Sequence, residues 1–113
     1  VIMGTHLGLS PEERWEQVER IIKTLPEQDR LILAGDFNFE SDSENYIRLR
    51  KNMRDGLAEI TAEPRPTFPA DTPDRRIDYI FIGDGIEVTE MAEYQHPEIP
   101  TASDHLPQIL HFR

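Results

Sequence analysis

The sequence predicts an α/β fold with mixed strand directions, and three observations carry that prediction. The chain has one strongly amphipathic helical segment and several apolar runs of strand length, and these segments follow the order β-α-β-α-β-β-β. At 113 residues the chain forms at most one domain. A chain of this length is able to bury a modest core.

The first two elements are a strand and the clearest helix of the sequence. The strand is predicted over 1–7. In the helix that follows, Ser10 takes the N-cap position, Pro11 the first helical position, and Glu13 completes a capping box. Apolar side chains then recur at helical spacing on a face that we expect to be buried: Trp15, Val18, Ile22 and Leu25.

A second strand and a second helix follow. The strand is predicted over 30–34, because a continuous β-favouring apolar run suits a covered sheet, and Gly35 is expected to end it. The helix is predicted over 41–53, with Ser41 or Ser43 as its cap. Its apolar pattern is weaker than that of the first helix.

The remaining elements are three strands separated by loops. Prolines and charged residues predict a loop over 63–76, and a strand follows over 77–83. A Gly-Asp-Gly turn is expected to make 86–91 the hairpin partner of that strand. Residues 96–105 are predicted to be a loop and 106–112 the closing strand.

Composition restricts the classes of partner. The chain has 22 acidic and 12 basic side chains, a net charge of -10, which disfavours tight nonspecific binding of nucleic acid. It has no cysteine, and therefore no disulfide and no thiolate metal site. No apolar stretch is long enough to span a membrane, and the start has no signal-peptide pattern, so we expect a cytoplasmic location.

Polar side chains lie at the predicted strand ends, and each has a structural interpretation when taken alone. His6 alone is typical of an exposed loop, and Asp36 with Asn38 is typical of a turn. The Ser-Asp-His sequence at 103–105 is typical of a turn or helix cap. Asp78 differs, because it lies inside an apolar run, where a carboxylate is costly unless it is paired.

Two kinds of partner are available to Asp78. The structural alternative is an ion pair with Arg75 or Arg76, and the functional alternative is a hydrogen bond with a histidine. We expect the second, with His105 as the partner, because strand ends in an α/β sandwich converge at one edge, where ligand sites gather. Asp78 would then hold the imidazole in one tautomer.

Taken together, these residues equip a site for metal-assisted attack of water on a phosphoester. Asp36, Asn38 and Asp104 offer the hard oxygen ligands that suit Mg²⁺ or Mn²⁺. His105 titrates near neutrality, and His6 adds a second proton donor or phosphate contact.

Four motifs resemble the endonuclease/exonuclease/phosphatase superfamily, which has the pancreatic-deoxyribonuclease-like fold, in both order and spacing. They are "GTHLGLS", "LAGDFN", "TFPADTPDRRIDYIFI" and "ASDHLP". The opening "THLGLSPEER" is most similar to the short bacterial metal-dependent hydrolases of that superfamily. The resemblance implies a four-layer α-β-β-α sandwich with mixed sheets, of which this chain is the C-terminal half.

The resemblance also implies a role for each site residue. Asp36 would contact the metal ion, the attacking water or both, and Asp104 would be a metal ligand. Asn38 would hydrogen-bond a phosphate oxygen, and His6 would steady the phosphate or assist the leaving group. His105, oriented by Asp78, would act as general base or stabilise the pentavalent phosphate; the division of labour between the two histidines stays open.

The chain lacks features of the family's N-terminal half. Family members are about twice this length, and their N-terminal half carries an early asparagine and a metal-binding glutamate. Neither can be placed here, because the sequence starts at the strand that leads to His6. Glu13, Glu40 and Glu63 lie at the wrong positions to substitute for the metal-binding glutamate. We therefore expect residues 1–113 to be the C-terminal portion of a single domain, paired with the absent N-terminal half or with another copy of the chain.

The function predicted is that of a Mg²⁺-dependent phosphoester hydrolase in the complete protein. The alternatives are a non-catalytic half-domain that binds a partner chain, and a small metal-binding protein. The substrate stays open among nucleic acids, lipid head groups and small phosphate esters, as does the preference for diesters or monoesters. Arg65, Arg75 and Arg76 either meet a substrate phosphate or belong to a solvated loop.

Overall fold

The computed structural model describes residues 1–92 and 97–113. The elements, in chain order, are β1 (Ile2–His6), α1 (Pro11–Thr24), β2 (Ile32–Asp36), α2 (Glu44–Arg50), β3 (Arg54–Asp55), β4 (Asp78–Ile82), β5 (Val88–Ala92), α3 (Ile99–Ala102) and β6 (Ile109–Phe112). The predicted α/β class with mixed strand directions is confirmed. No helix in the described part of the chain is long and apolar enough to cross a membrane.

Two sheets make up the β structure. The larger has the strand order β1-β2-β4-β3, with β1 parallel to β2, and β4 antiparallel to both β2 and β3. The smaller is the antiparallel pair β5-β6. One face of the larger sheet packs against α1 and α2, and Leu33, Phe81, Val18 and Leu49 are buried there. That burial is the main source of stability for this half of the structure.

An aromatic cluster closes the core next to the ends of β2 and β4. Phe37 is fully buried, and its ring centre lies 5.7 Å from that of Tyr79 in an edge-on arrangement. The Tyr79 hydroxyl donates to the carbonyl oxygens of Phe39 at 2.9 Å and Arg76 at 2.8 Å. Burial raises the pKa of Tyr79, so the hydroxyl remains a donor.

The two predicted helices form, with one correction. Ser10 caps α1 by accepting a hydrogen bond from the Glu13 N–H, and of the two candidates for α2 it is Ser43 that caps the helix. Trp15, however, is 45% exposed rather than buried. The Arg48 guanidinium lies 3.7 Å from the centre of its ring, so Trp15 makes a surface cation–π contact instead of a core contact.

Gly35 does not end the second strand. β2 runs through it to Asp36, with Gly35 opposite Thr5 on one side and Tyr79 on the other. A Cβ at Gly35 would lie 1.8 Å from the Thr5 carbonyl oxygen. The glycine is therefore required by the close approach of β1 and not by a chain reversal.

The predicted hairpin between β4 and the following strand is wrong. β4 pairs instead with β3, and β5 pairs with β6. The Gly-Asp-Gly turn is anchored to the entrance of β2, because the Gly83 N–H donates to Leu31 O and the Gly85 N–H to Asp29 O. The chain that leaves β4 is therefore bound beside the start of β2, and it does not fold back to pair with β4.

The loop predictions need one further correction. Residues 63–76 form the predicted loop, and its two arms meet at an isolated bridge between Phe68 and Arg75. The stretch 97–105 contains the short helix α3, whereas His96, the first residue of the predicted loop, lies outside the described residues. The closing strand is confirmed as β6.

Candidate active site

Three of the predicted site residues lie in one row across the sheet. In the register of β1, β2 and β4, His6 is opposite Asp36 and Asp36 is opposite Asp78. β1 and β2 end at this row, and the antiparallel β4 begins there. Residues that face each other across neighbouring strands have side chains in contact range, so the sheet itself brings these groups together.

His105 is bound to Asp78, as predicted. Its Nδ1 lies 2.8 Å from Asp78 Oδ2. Because an ionised carboxylate only accepts hydrogen bonds, Nδ1 carries the proton. Nε2 is thereby left on the side of Asp36, whose Oδ2 is 3.6 Å away.

The charges around His105 act on its pKa. Burial lowers the pKa of His105, but the hydrogen bond and charge of Asp78 outweigh it, with further contributions from Asp36 and Asp104. The net result is a pKa above the ordinary value for histidine. The carboxylates therefore shift the proton equilibrium of His105 toward the protonated form relative to a free histidine.

The alternative prediction that Asp78 forms an ion pair with Arg76 is wrong. Arg76 is buried and binds Asp55 through two hydrogen bonds, of 2.7 and 2.8 Å. Its guanidinium is therefore committed to another carboxylate and is withdrawn from any substrate. Arg75 differs: it is half-exposed, it pairs with Asp74, and it lies 4.7 Å over the ring of Phe68.

Asn38 reaches the site through a turn and not through strand alternation. It lies beyond the end of β2 in a left-handed conformation, with a φ of 52°. Its N–H donates to Asp36 Oδ1 at 3.0 Å, the local hydrogen bond that stabilises Asx turns. Its side-chain Nδ2 donates to Leu7 O at 2.6 Å, which ties the turn to the end of β1.

His6 and Asp104 are the most exposed of the predicted residues. The His6 side chain is 75% exposed, with Nε2 at 3.5 Å from Asp36 Oδ2. The Asp104 side chain is 77% exposed, with Oδ1 at 3.8 Å from His105 Nε2. Both are therefore accessible to a ligand, while Asp36 lies between the two histidines.

One open cleft collects most of these groups. It has a volume of about 640 Å³. Its lining residues are His6, Leu9, Asp36, Asn38, Phe68, Arg75, Ile77, Asp104 and His105. Asp78 lies behind His105 and lines the adjoining hollow. The structure thus brings five of the six predicted residues to one surface and puts the sixth in contact with it.

Metal-ligating groups are present at this surface. Ligand atoms of Asp36, Asp78 and His105 all lie within 4.8 Å of one another. Asp78 is already engaged by His105 Nδ1, so the oxygens that remain for a hard cation are those of Asp36 and the exposed Asp104. Mg²⁺ needs only one or two carboxylates, because it keeps several waters, and this donor set fits it.

Sequence reasoning missed three residues that support the site. Phe68 packs its ring 4.8 Å from that of His105, and Gln108 Nε2 donates to Asp78 O at 2.9 Å. Thr67 Oγ1 accepts hydrogen bonds from the N–H groups of Ile77 and Asp78. Thr67 and Phe68 lie in a proline-rich loop, where no periodicity distinguishes a buried residue from an exposed one.

Comparison with a family model identifies the protein family. Residues 5–105 match the model described as the Endonuclease/Exonuclease/phosphatase family. The chain belongs to this family. The resemblance drawn from the four sequence motifs is thereby confirmed, and the matched range includes every predicted site residue.

Solved structures of endonuclease/exonuclease/phosphatase proteins share the fold. The chain is 26% identical to a conserved protein of unknown function from Enterococcus faecalis V583, with a TM-score of 0.84. The match covers 99% of this chain and 49% of the other protein. A family member from Bacteroides vulgatus is 27% identical, with a TM-score of 0.70 and coverage of 99% and 47%. The catalytic domain of human Nocturnin, with bound sulfate, is 22% identical, with a TM-score of 0.73 and coverage of 99% and 46%, and shows the fold alone.

The chain spans about half the length of the structures that it matches. No curated protein matches it in sequence.

Proposed function

We propose that this chain is the C-terminal part of a Mg²⁺-dependent phosphoester hydrolase. The observation that carries the proposal is the placement of His105. Asp78 holds its Nδ1, and its Nε2 faces Asp36 in the cleft. Membership in a family of nucleases and phosphatases supports phosphoester chemistry at this surface.

Each residue has a proposed task in the attack of water on phosphorus. Asp36 and Asp104 hold the cation, which when bound supplies charge neutralisation and lowers the pKa of the attacking water. Asn38 hydrogen-bonds a phosphate oxygen. His105 Nε2 takes the proton of the attacking water or hydrogen-bonds the phosphoryl group, with Asp78 fixing the tautomer. His6 steadies the phosphate or protonates the departing ester oxygen.

The domain organisation proposed is one domain in two halves. One apolar face of the larger sheet is only partly covered, with Ile2 77% exposed and Ile32, Ala34 and Ile80 half-buried. An N-terminal half, in the same chain or in another, would cover that face and supply the glutamate ligand that the family resemblance implies.

The substrate is proposed at the level of a phosphoester. A net charge of -10 disfavours duplex DNA as a ligand for this chain alone. Small phosphate esters and lipid head groups suit the cleft better on electrostatic grounds. The half-exposed Arg75, on the wall of the cleft, is the basic group available to a second phosphate oxygen.

A second candidate function is a half-domain that binds a partner chain and does no chemistry. The coverage of less than half of the matched structures favours it. The intact set of six site residues favours the hydrolase, because a chain without chemistry has no need of a histidine held by a partly buried carboxylate.

Metal dependence tests the proposed function in the complete domain. We expect hydrolysis of a generic phosphodiester or monoester to require Mg²⁺ and to be lost on chelation. Asp104→Asn should raise the Mg²⁺ concentration needed for half-maximal rate by roughly 10-fold or more. Asp84→Asn is the control, since the Asp84 side chain is also largely exposed, at 89% against 77% for Asp104, but lies in the turn after β4. Full activity after chelation, or equal effects of the two substitutions, would refute the metal assignment.

A further inference from the structure

Thr67 is a buried polar residue to which the proposed function gives no task. It is 1% exposed. Its Oγ1 accepts hydrogen bonds from the backbone N–H groups of Ile77 at 3.2 Å and Asp78 at 3.3 Å. A single hydroxyl therefore binds the backbone at the start of β4, and one of its two donors is Asp78, whose carboxylate holds His105.

The backbone of the same residue binds the other partner of that pair. Thr67 O accepts a hydrogen bond of 2.8 Å from the N–H of Leu106, the residue that follows His105. Three residues further on, the Ala70 N–H donates to Asp104 O at 2.7 Å. The loop thus attaches at two points to the segment 104–106 and, through the Thr67 hydroxyl, to the start of β4.

We propose that Thr67 is a positioning residue, which sets the distance and angle between Asp78 and His105. The inference rests on the proposed function, because it assigns Thr67 to the geometry of that site. Hydrogen bonds weaken steeply as the angle closes, and small displacements of catalytic groups cost large factors in rate. One residue that binds both sides of the pair fixes their relative position directly.

The hydroxyl is the part of Thr67 that substitution can remove cleanly. Thr67→Val keeps the shape but leaves two buried N–H groups without an acceptor. Thr67→Ser keeps the acceptor and loses only a methyl group. The backbone hydrogen bond to Leu106 is unchanged in both variants, so the comparison isolates the contact with Ile77 and Asp78.

The experiment uses the complete domain, with kinetics and nitrogen-15 NMR of the histidine rings at one fixed pH that is high enough for the His105 ring to be neutral. We expect Thr67→Val to lower kcat by about 10- to 100-fold with little change in KM, and Thr67→Ser to restore it. The His105 ring should lose its preference for the Nδ1–H tautomer in the valine variant only. If Thr67→Val does not fold, Thr67→Cys, whose sulfur is a weak acceptor, replaces it with a smaller expected loss.

A matched control separates positioning from stability. Ser43 Oγ also accepts a backbone N–H, that of Tyr46, but at the start of α2. Ser43→Ala should lower Tm and leave both kcat and the His105 tautomer unchanged. A Thr67→Val variant that keeps wild-type kcat and tautomer, or that loses no more kcat than Ser43→Ala at an equal loss of Tm, would overturn the proposal. An altered tautomer in a domain whose wild type hydrolyses nothing would support the positioning and refute the proposed function.

Discussion

Asp78 shows how far a single residue can be interpreted from sequence. A carboxylate between apolar neighbours in a strand needs a partner, and desolvation cost alone restricts that partner to a cation or a hydrogen-bond donor. The choice of His105 over Arg75 or Arg76 came from the expected convergence of strand ends at one edge of the sheet, and the 2.8 Å contact confirms it. The pairing of Arg76 with Asp55 was not predictable, because nothing local marks Asp55 as buried.

Asn38 lines the cleft for a reason that strand geometry alone does not give. Alternation along β2 would put its side chain on the same side as that of Asp36, but the chain leaves the strand first, and Asn38 adopts a φ of 52°. Asparagine suits both requirements, since it tolerates the left-handed region and its amide binds Leu7 O. The residue therefore serves the turn and the site together.

The prediction that follows concerns Asn38→Gly in the complete domain. Glycine keeps the left-handed backbone without strain and removes only the amide, whereas Asn38→Ala would add the cost of a Cβ at positive φ. We expect the glycine variant to lower kcat by roughly 10-fold or more, and to leave the Mg²⁺ concentration for half-maximal rate near the wild-type value.

Steady-state kinetics over a Mg²⁺ series measures both quantities. Asn52→Gly is the control, because Asn52 follows α2 and its side chain donates to Arg48 O, away from the cleft. A large change in metal dependence with kcat preserved would assign Asn38 to the metal and not to the phosphate.

At the scale of elements, the strong local signals were predictable and the pairings were not. α1 has a cap, a proline at its first turn and a predicted apolar face, and it forms as expected, although Val18 is the one residue of that face that is fully buried. The prediction of a hairpin after β4 was wrong because turn residues specify a bend in the chain, but they do not specify which strand pairs with β4. The two-residue strand β3 takes that edge, and two residues carry no periodicity for a sequence to reveal.

A buried ion pair links β3 to the loop before β4. The Asp55 side chain is fully buried, and it accepts two hydrogen bonds from Arg76 and one of 2.8 Å from the Tyr46 hydroxyl. The Arg76 guanidinium also lies 4.6 Å over the ring of Tyr79. This network fixes the loop to the sheet two residues before Asp78.

Removal of one partner should therefore be costly. We expect Asp55→Asn or Arg76→Met to lower the free energy of unfolding by about 3–5 kcal/mol, because each leaves an uncompensated buried charge. The double variant should lose less than the sum of the two, since it removes both charges. Urea denaturation of the complete domain measures all three.

The control is a more exposed ion pair between an arginine and a carboxylate. Arg48 pairs with Glu19 on α1, whose side chain is 48% exposed. Glu19→Gln should cost less than about 1 kcal/mol. Additive losses at Asp55 and Arg76, or losses no larger than that of Glu19→Gln, would contradict a coupled buried pair.

At the scale of the whole molecule, helices cover one face of the larger sheet, and the opposite face is only partly covered. The helices cover the face of the sheet that holds Leu33 and Phe81. On the opposite face, the β5-β6 pair gives partial cover, and Ile2 and Phe112 are exposed at 77% and 43% next to a shared hollow. One half of a two-sheet sandwich would present an uncovered face of this kind, but periodicity in the sequence does not show which residues lie on it.

The last prediction concerns residues 1–113 in isolation. We expect the chain alone to self-associate or to precipitate, because apolar patches of this kind drive association when no second half covers them. We also expect it to hydrolyse a generic phosphodiester at least about 100-fold more slowly than the complete domain, since it lacks the glutamate that the family resemblance implies.

Light scattering and Mg²⁺-dependent turnover of the two forms provide the test. Ile2→Ser with Phe112→Ser should reduce association of the isolated chain without restoring its activity, whereas Ile47→Ser should leave association unchanged, because Ile47 is exposed on α2. A monodisperse monomer with the turnover of the complete domain would contradict the half-site argument. In that case an acid within this chain would have to supply the missing ligand, and Glu40, which follows the Asn38 turn and is exposed, would be the first to substitute.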